Sequence, residues 1–257
     1  MGGFIDDLGH MVFQVELANG LGGVTEDNNT GIWSDRTGTL APVAREGITG
    51  SLGPALGGGQ VYRSFDELEL SRSGHMAFIG YLKVGTGGVT SDNAVVIMSD
   101  QSGTLAPVAR TGVTGPLGPG LGGGEVFTSL RNISINSSGQ IVFNAYVSTW
   151  NRQGLWATDI NGELKPIVLQ HSLFDVGHPS DGLDLRWIRG ISYRNSISDD
   201  GIVPFELSFT DGPGGIFTAQ VPEPGTIALL GLGLAGLLRR PRRRNKVHQV
   251  AIRHCQM

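Results

Sequence analysis

A single cysteine, Cys255, sits near the end of the 257-residue chain, so no intrachain disulfide can form and the redox compartment stays open. Charge is also scarce, at 16% Asp, Glu, Lys and Arg, where globular chains average about a quarter. Basic residues are rare ahead of position 239. Twelve Lys and Arg stand there against 23 Asp and Glu, a net charge of −11. That balance argues against nucleic acid as a partner, because phosphate binding needs Lys and Arg clustered on the folded surface. The opening stretch MGGFIDDLGHMVF has neither a basic start nor a long apolar core, so it does not read as a secretory signal. In contrast, glycine is abundant, at 41 residues. Gly costs about 1 kcal/mol relative to Ala in a helix interior, so the chain is expected to turn often and to be all-β.

The octapeptide GTLAPVAR occupies Gly38 to Arg45 and again Gly103 to Arg110. Sliding the chain by 65 residues aligns 35–78 with 100–143 at 24 identities in 44 positions without a gap, which marks an internal repeat. A sparser pattern extends it: a small polar residue, Gly three later, Phe four after that. Asp6/Gly9/Phe13, Ser71/Gly74/Phe78, Asn136/Gly139/Phe143 and Ser198/Gly201/Phe205 all fit, which gives four copies. Each reads as a tight corner with Gly at positive φ, leading into a strand. In the third copy Ile141, Phe143 and Ala145 fall on one face of that strand, Val142, Asn144 and Tyr146 on the other.

Further strands follow each corner: 31–34 with 40–45, 94–98 with 105–110, and 154–157 with 164–169, joined by turns such as Asp35 to Gly38 and Asp100 to Gly103. Four short hairpin-linked strands make one unit, and about four such antiparallel units suggest a β-propeller-like array, with a β-solenoid as the competing architecture. The repeat domain spans 1–220, in units of approximately 4–65, 66–130, 131–190 and 191–220. The Gly-rich stretch 47–65 is expected to carry the chain from one blade's outer edge to the next blade's centre. Roughly 14 strands are visible, with no room for a full first strand before Asp6 and no fourth strand in the last unit. The ring is therefore expected to be incomplete or closed by shared terminal strands, and the chain to be part of a longer protein.

The repeats resemble those of bacterial surface proteins described by tandem NxxGxxxF motifs and variable C-terminal anchors. The pattern is strict only at Asn136/Gly139/Phe143, since Asp6, Ser71 and Ser198 replace Asn elsewhere. The resemblance implies an exported β protein without catalytic residues to carry over. The segment VPEPGTIALLGLGLAGLLRRPRRR at 221–244 is similar to the PEP-CTERM sorting signal: Pro222, Glu223 and Pro224, then a short apolar stretch, then arginines beginning with Arg239 and Arg240. Residues 226–238 are uncharged and would make about 20 Å of helix, short for a hydrocarbon core of about 30 Å. The arginine cluster is expected to stay cytoplasmic. Residues 245–257 form a basic tail expected to be disordered. The resemblance implies an exosortase-type enzyme as partner, transient insertion in the inner membrane through the short helix, and delivery to the cell surface or extracellular matrix.

Other motifs carry less. Gly231, Gly233 and Gly236 match GxGxxG, but no strand precedes them and arginines follow where an acidic ribose ligand belongs, so close helix packing is the better account. His10 and His75 share one repeat position with Gln140, which marks a tolerated polar site. His171 and His178, with Asp175, Asp181 and Asp184, lie in an irregular loop replacing the third Gly-rich connection. They are read as a polar loop ahead of a metal site. Glu26 to Asn29 and Ser91 to Asn93 offer oxygens for calcium, yet hairpin chemistry accounts for them. Trp33 and Trp156 share a position that reads as core, whereas Trp150 and Trp187 fall outside the pattern. No cofactor is expected. The leading expectation is a non-enzymatic exported scaffold. The rival is an extracellular protein that binds or cleaves polysaccharide through the irregular loop, Trp187 and paired carboxylates.

Overall fold

A computed structural model of the chain describes residues 2–177 and 182–221. They form sixteen strands in four antiparallel meanders of four strands each. The first sheet holds β1 (Gly3–Ile5), β2 (Met11–Glu16), β3 (Thr30–Ser34) and β4 (Ala41–Arg45). The second holds β5 (Tyr62–Leu70), β6 (Met76–Leu82), β7 (Val95–Ser99) and β8 (Ala106–Arg110). The third holds β9 (Phe127–Ile135), β10 (Ile141–Val147), β11 (Arg152–Thr158) and β12 (Leu164–Leu169). The fourth holds β13 (Leu173–Asp175), β14 (Leu185–Tyr193), β15 (Ile202–Phe209) and β16 (Gly215–Gln220). The all-β, propeller-like expectation holds. The expected helix at 226–238 and the tail at 245–257 lie outside the described residues.

The sheets stack face to face, and the period-two alternation of each strand decides what meets. Val12, Ile32 and Ala44 of the first sheet share a core with Phe78, Val96 and Met98 of the second. Ala77, Ile79 and Ile97, on the other face of the second sheet, join Phe143, Ala145 and Trp156 of the third. Val142 and Leu155, on the third sheet's other face, join Val203, Phe205 and Leu207 of the fourth. The second and third sheets are thus buried on both faces, and their central strands read as nearly continuous apolar runs. Among the described residues no core cluster links the fourth sheet to the first. The stack is open.

Two local devices recur. Trp33 and Trp156 lie flat along their own strands, over a glycine two residues earlier. A Cβ on Gly31 would come within 2.4 Å of the Trp33 ring, and one on Gly154 within 2.5 Å of Trp156. Only hydrogen fits there. On the last strand of each of the first three sheets a proline sits at a register shift, opposite its partner: Pro42 to Trp33, Pro107 to Met98 and Pro166 to Trp156. A proline with no N–H, placed at a bulge on an edge strand, blunts that edge against pairing with another chain.

The connections between sheets differ from the expectation. Rather than crossing to a distant centre, the Gly-rich segment returns to where it left. The Gly47 amide donates to Tyr62 O at 3.0 Å, and Gly112 to Phe127 O at 2.9 Å. Each new sheet therefore starts beside the end of the preceding one. Its long first strand then runs across the preceding face, so that β9 touches β5, β6 and β7. The third connection follows the same plan, with the His171 amide donating to Ile188 O at 3.0 Å. Gly47, Gly112 and His171 all adopt left-handed backbone, with φ of 64°, 63° and 60°. The strand count also departs from the sequence reading. Before Asp6 there is room for the three residues of β1, and β13, inside the irregular loop, completes the fourth sheet at its other edge by pairing with β14.

Candidate functional site

The four Gly corners are built alike. In each, the side-chain oxygen of the first residue accepts from the backbone amide four residues on: Asp6 from His10 at 2.8 Å, Ser71 from His75 at 2.9 Å, Asn136 from Gln140 at 2.9 Å, Ser198 from Ile202 at 2.9 Å. The Gly amide closes the turn onto the same residue's carbonyl at 2.9 to 3.1 Å. Gly9, Gly74, Gly139 and Gly201 hold φ between 74° and 88°, a region that costs a Cβ-bearing residue strain. Asp, Ser and Asn all present an oxygen one or two bonds from Cβ, which is why the position tolerates all three.

Successive corners are stitched into a ladder along one end of the stack. The Asp7 amide donates to Arg72 O at 3.0 Å. The Ser73 hydroxyl donates to Ser137 O at 2.6 Å, the Asn136 amide group to Ser198 O at 3.2 Å, and the Ser137 amide to Asp199 Oδ1 at 3.0 Å. Alongside runs a second row from the turns between third and fourth strands. Arg36 donates to Gly74 O at 2.6 Å and pairs with the buried Asp100, whose other oxygen accepts from the Met76 amide at 2.8 Å. One sheet further on, Gln101 takes Arg36's place and donates to Asp159 O at 2.7 Å. Between faces, Glu67 Oε2 accepts from the Ile133 amide at 2.9 Å, where β9 kinks at Asn132. Tyr193 likewise hydrogen-bonds Ser134.

Charge along the ladder follows from these bonds. Burial pushes the Asp6 carboxyl up, but hydrogen bonds from the His10 ring and from the His10 and Leu8 amides outweigh it and leave the group below its ordinary value. Hydrogen bonds from Ser137 hold Asp199 below the usual carboxylate range as well. Burial raises Glu46 and Glu69, and for Glu69 the nearby Glu67 adds to the effect.

The remaining sequence candidates are dispersed. Asn28 and Asn93, in the two loops read as hairpin chemistry ahead of calcium ligation, are each held by the Arg that ends the octapeptide: Arg45 donates to Asn28 O at 2.7 Å and Oδ1 at 3.1 Å, Arg110 to Asn93 O at 2.8 Å and Oδ1 at 3.1 Å. These oxygens are turn and clamp acceptors. Asp175 Oδ1 accepts from the amides of Gly177 at 2.9 Å and Asp184 at 3.0 Å, and Asp184 pairs with Arg186 at 2.9 Å. His178 and Asp181 lie outside the described residues, and among the described residues no three His, Cys, Asp or Glu gather as metal ligands. Trp156 is fully buried, with its indole N–H on Pro119 O at 3.0 Å. Trp150 and Trp187 are exposed, at 77% and 53%. The Arg36–Asp100 pair escaped sequence reasoning. Its one visible signal was the alignment of Asp35 with Asp100 and of Arg36 with Gln101.

The described geometry defines a class, an open propeller-like array of four-stranded antiparallel sheets tied along one end by a polar ladder. Within that class, the chain belongs to the DUF7453 family, a family of unknown function whose model matches residues 2–228. A PEP-CTERM protein-sorting motif matches residues 220–244 and takes in Pro222, Glu223, Pro224, Arg239 and Arg240, which lie outside the described residues. The motif marks a protein that is exported and handed to an exosortase-type enzyme. No curated protein matches the chain. Among solved structures it is similar to a GH43 β-1,3-galactosidase bound to galactodeoxynojirimycin, at 11% identity and TM-score 0.32 over 83% of this chain and 71% of that one. A likeness that low carries no argument about fold or chemistry. Among the described residues no helix is long and apolar enough to cross a membrane.

Proposed function

We propose that the protein is a non-catalytic scaffold of tandem β units, displayed at the cell surface or in the extracellular matrix once an exosortase-type enzyme has removed its C-terminal segment. The observation that carries the reading is the position of the sorting motif. It begins at residue 220, where the last strand, β16, ends at Gln220. The folded array finishes where the disposable segment starts. On this reading Pro222, Glu223 and Pro224 hold an extended segment for the processing enzyme. Residues 226–238 insert briefly in the inner membrane, and Arg239 and Arg240 stay on the cytoplasmic side. The corner residues and their Phe anchors serve the fold, and the relation to the NxxGxxxF surface proteins lies in those corners.

The test is export in a host that contains the processing enzyme, with a secretory signal fused ahead of residue 1. The intact mass of the secreted product should show loss of the segment beyond the Pro222–Pro224 region, and Pro222→Ala with Glu223→Ala should leave the chain uncut and membrane-associated. A wild-type chain that stays full length inside the cell would overturn the proposal.

A further inference from the structure

The two ends of the stack expose surfaces that the molecule buries everywhere else. Ile32, Ile97 and Leu155 occupy the third strand of their sheets beside the core aromatic or Met, and each is fully buried by the sheet that follows. The corresponding residue of the fourth sheet is Ile216, next to Phe217 and opposite Glu206, and it is 82% exposed. Around it on the same face stand Ile202, Trp187 and Leu173, at 41%, 53% and 43% exposed. At the other end, Phe78, Phe143 and Phe205 each point at the preceding sheet and are nearly fully buried. Their counterpart Phe13 is only half-buried, as is its cross-strand neighbour Trp33, while Met11 and Ile5 beside them are 42% and 70% exposed.

We infer that the open face of the first sheet docks onto the open face of the fourth sheet of a second copy, so that chains join head to tail and continue the stack. The same pair of faces, a leading Phe face and a trailing Ile or Leu face, meets three times within one chain, and the unmatched halves at the two ends are the members of a fourth such pair. An interface between two different patches is heterologous, so repeated docking builds rings or filaments instead of closing at a dimer. The edges favour stacking over sheet extension, because Pro42 blunts the β4 edge of the first sheet. The inference needs neither export nor processing and stands or falls apart from them.

Sedimentation velocity of the full chain in mild detergent tests it with two variants on exposed positions, Ile5→Arg and Ile216→Arg. The wild type should form species of increasing size with concentration. Each variant alone should be a monomer, its association weakened at least about tenfold. Mixed in equal amounts, the variants each retain one good face, so the mixture should form a species of two chains and nothing larger. Met11→Arg and Thr218→Arg, on the same two faces, should behave alike, with unfolding midpoints close to wild type confirming that every variant folds. A wild type that stays monomeric to about 0.1 mM, single variants that still associate, or a mixture that stays monomeric would each overturn the inference. Continued association by the single variants would point to the C-terminal segment or another surface as the contact.

Discussion

The inner sheets and the outer faces of the end sheets are made to one plan yet live in different solvents. Phe143 is fully buried between two sheets, whereas Phe13, placed at the same step after its corner Gly, has its own sheet beneath its ring and no second sheet above it, and is half-buried. The contrast separates what a unit specifies from what its neighbours supply. Corner, strand and side-chain alternation belong to the unit and survive at the ends. The dry core belongs to the pair of sheets, and a unit at an end has half of it.

The comparison breaks first if the inner and end positions cost the same to truncate. Phe143→Ala should destabilise by about 3–5 kcal/mol, since its ring packs on Phe127 and stacks on Trp156. Phe13→Ala should cost less than half as much, and urea unfolding of the two variants checks both. Next comes Gly154→Ala, where the new methyl meets the Trp156 ring at 2.5 Å with Leu169 at 2.9 Å behind it. A loss of about 1–3 kcal/mol is expected from such overpacking. At the half-open counterpart, Gly31→Ala, the Trp33 ring has room to swing into the open side, but the new methyl also meets the Ala44 carbonyl oxygen at 2.6 Å, so a loss of similar size, about 1–3 kcal/mol, is expected there from the backbone contact.

Arg110→Ala sharpens the picture of the repeated octapeptide. It releases two hydrogen bonds to Asn93 and should cost about 1–2 kcal/mol, read as a lowered thermal midpoint. The smallest effect concerns acid. Asp6 and Asp199 have carboxyls held below their ordinary values, so the stability they contribute is present above the ordinary carboxylate range and is lost as pH falls below about 4. Glu46 and Glu69 are raised and act in the opposite sense, favouring the fold as they protonate. Asp6→Asn and Asp199→Asn should therefore flatten the acid limb of a stability–pH curve, while Glu46→Gln should steepen it.

Much of this was legible in the sequence wherever a local rule was at work. The corner glycines announced positive φ because few other residues adopt it, and the alternation after each corner assigned Ile141, Phe143 and Ala145 to one face and Val142 and Asn144 to the other. Reading Trp156 as core followed from its place in that pattern. The start of each sheet was hidden. Tyr62 and Phe127 begin their strands five residues before the alternating stretch seen at 67 and 132, because Glu67 and Asn132 kink those strands with φ of 44° and 58° and break the period. β13 was hidden too, since its loop has no aligned counterpart, and so was His171 as a left-handed hinge where the other copies use glycine. The Arg36–Asp100 contact joins residues 64 positions apart and exists only once the sheets are stacked.

Hydrogen exchange of the full chain, followed strand by strand at a concentration below any association, tests the stacked arrangement most directly. Amides of β6 and β10, buried on both faces, should exchange only through global unfolding, while those of β1 and β16 exchange by local opening many times faster. Equal protection across the four sheets, or slowest exchange in β1 and β16, would contradict it.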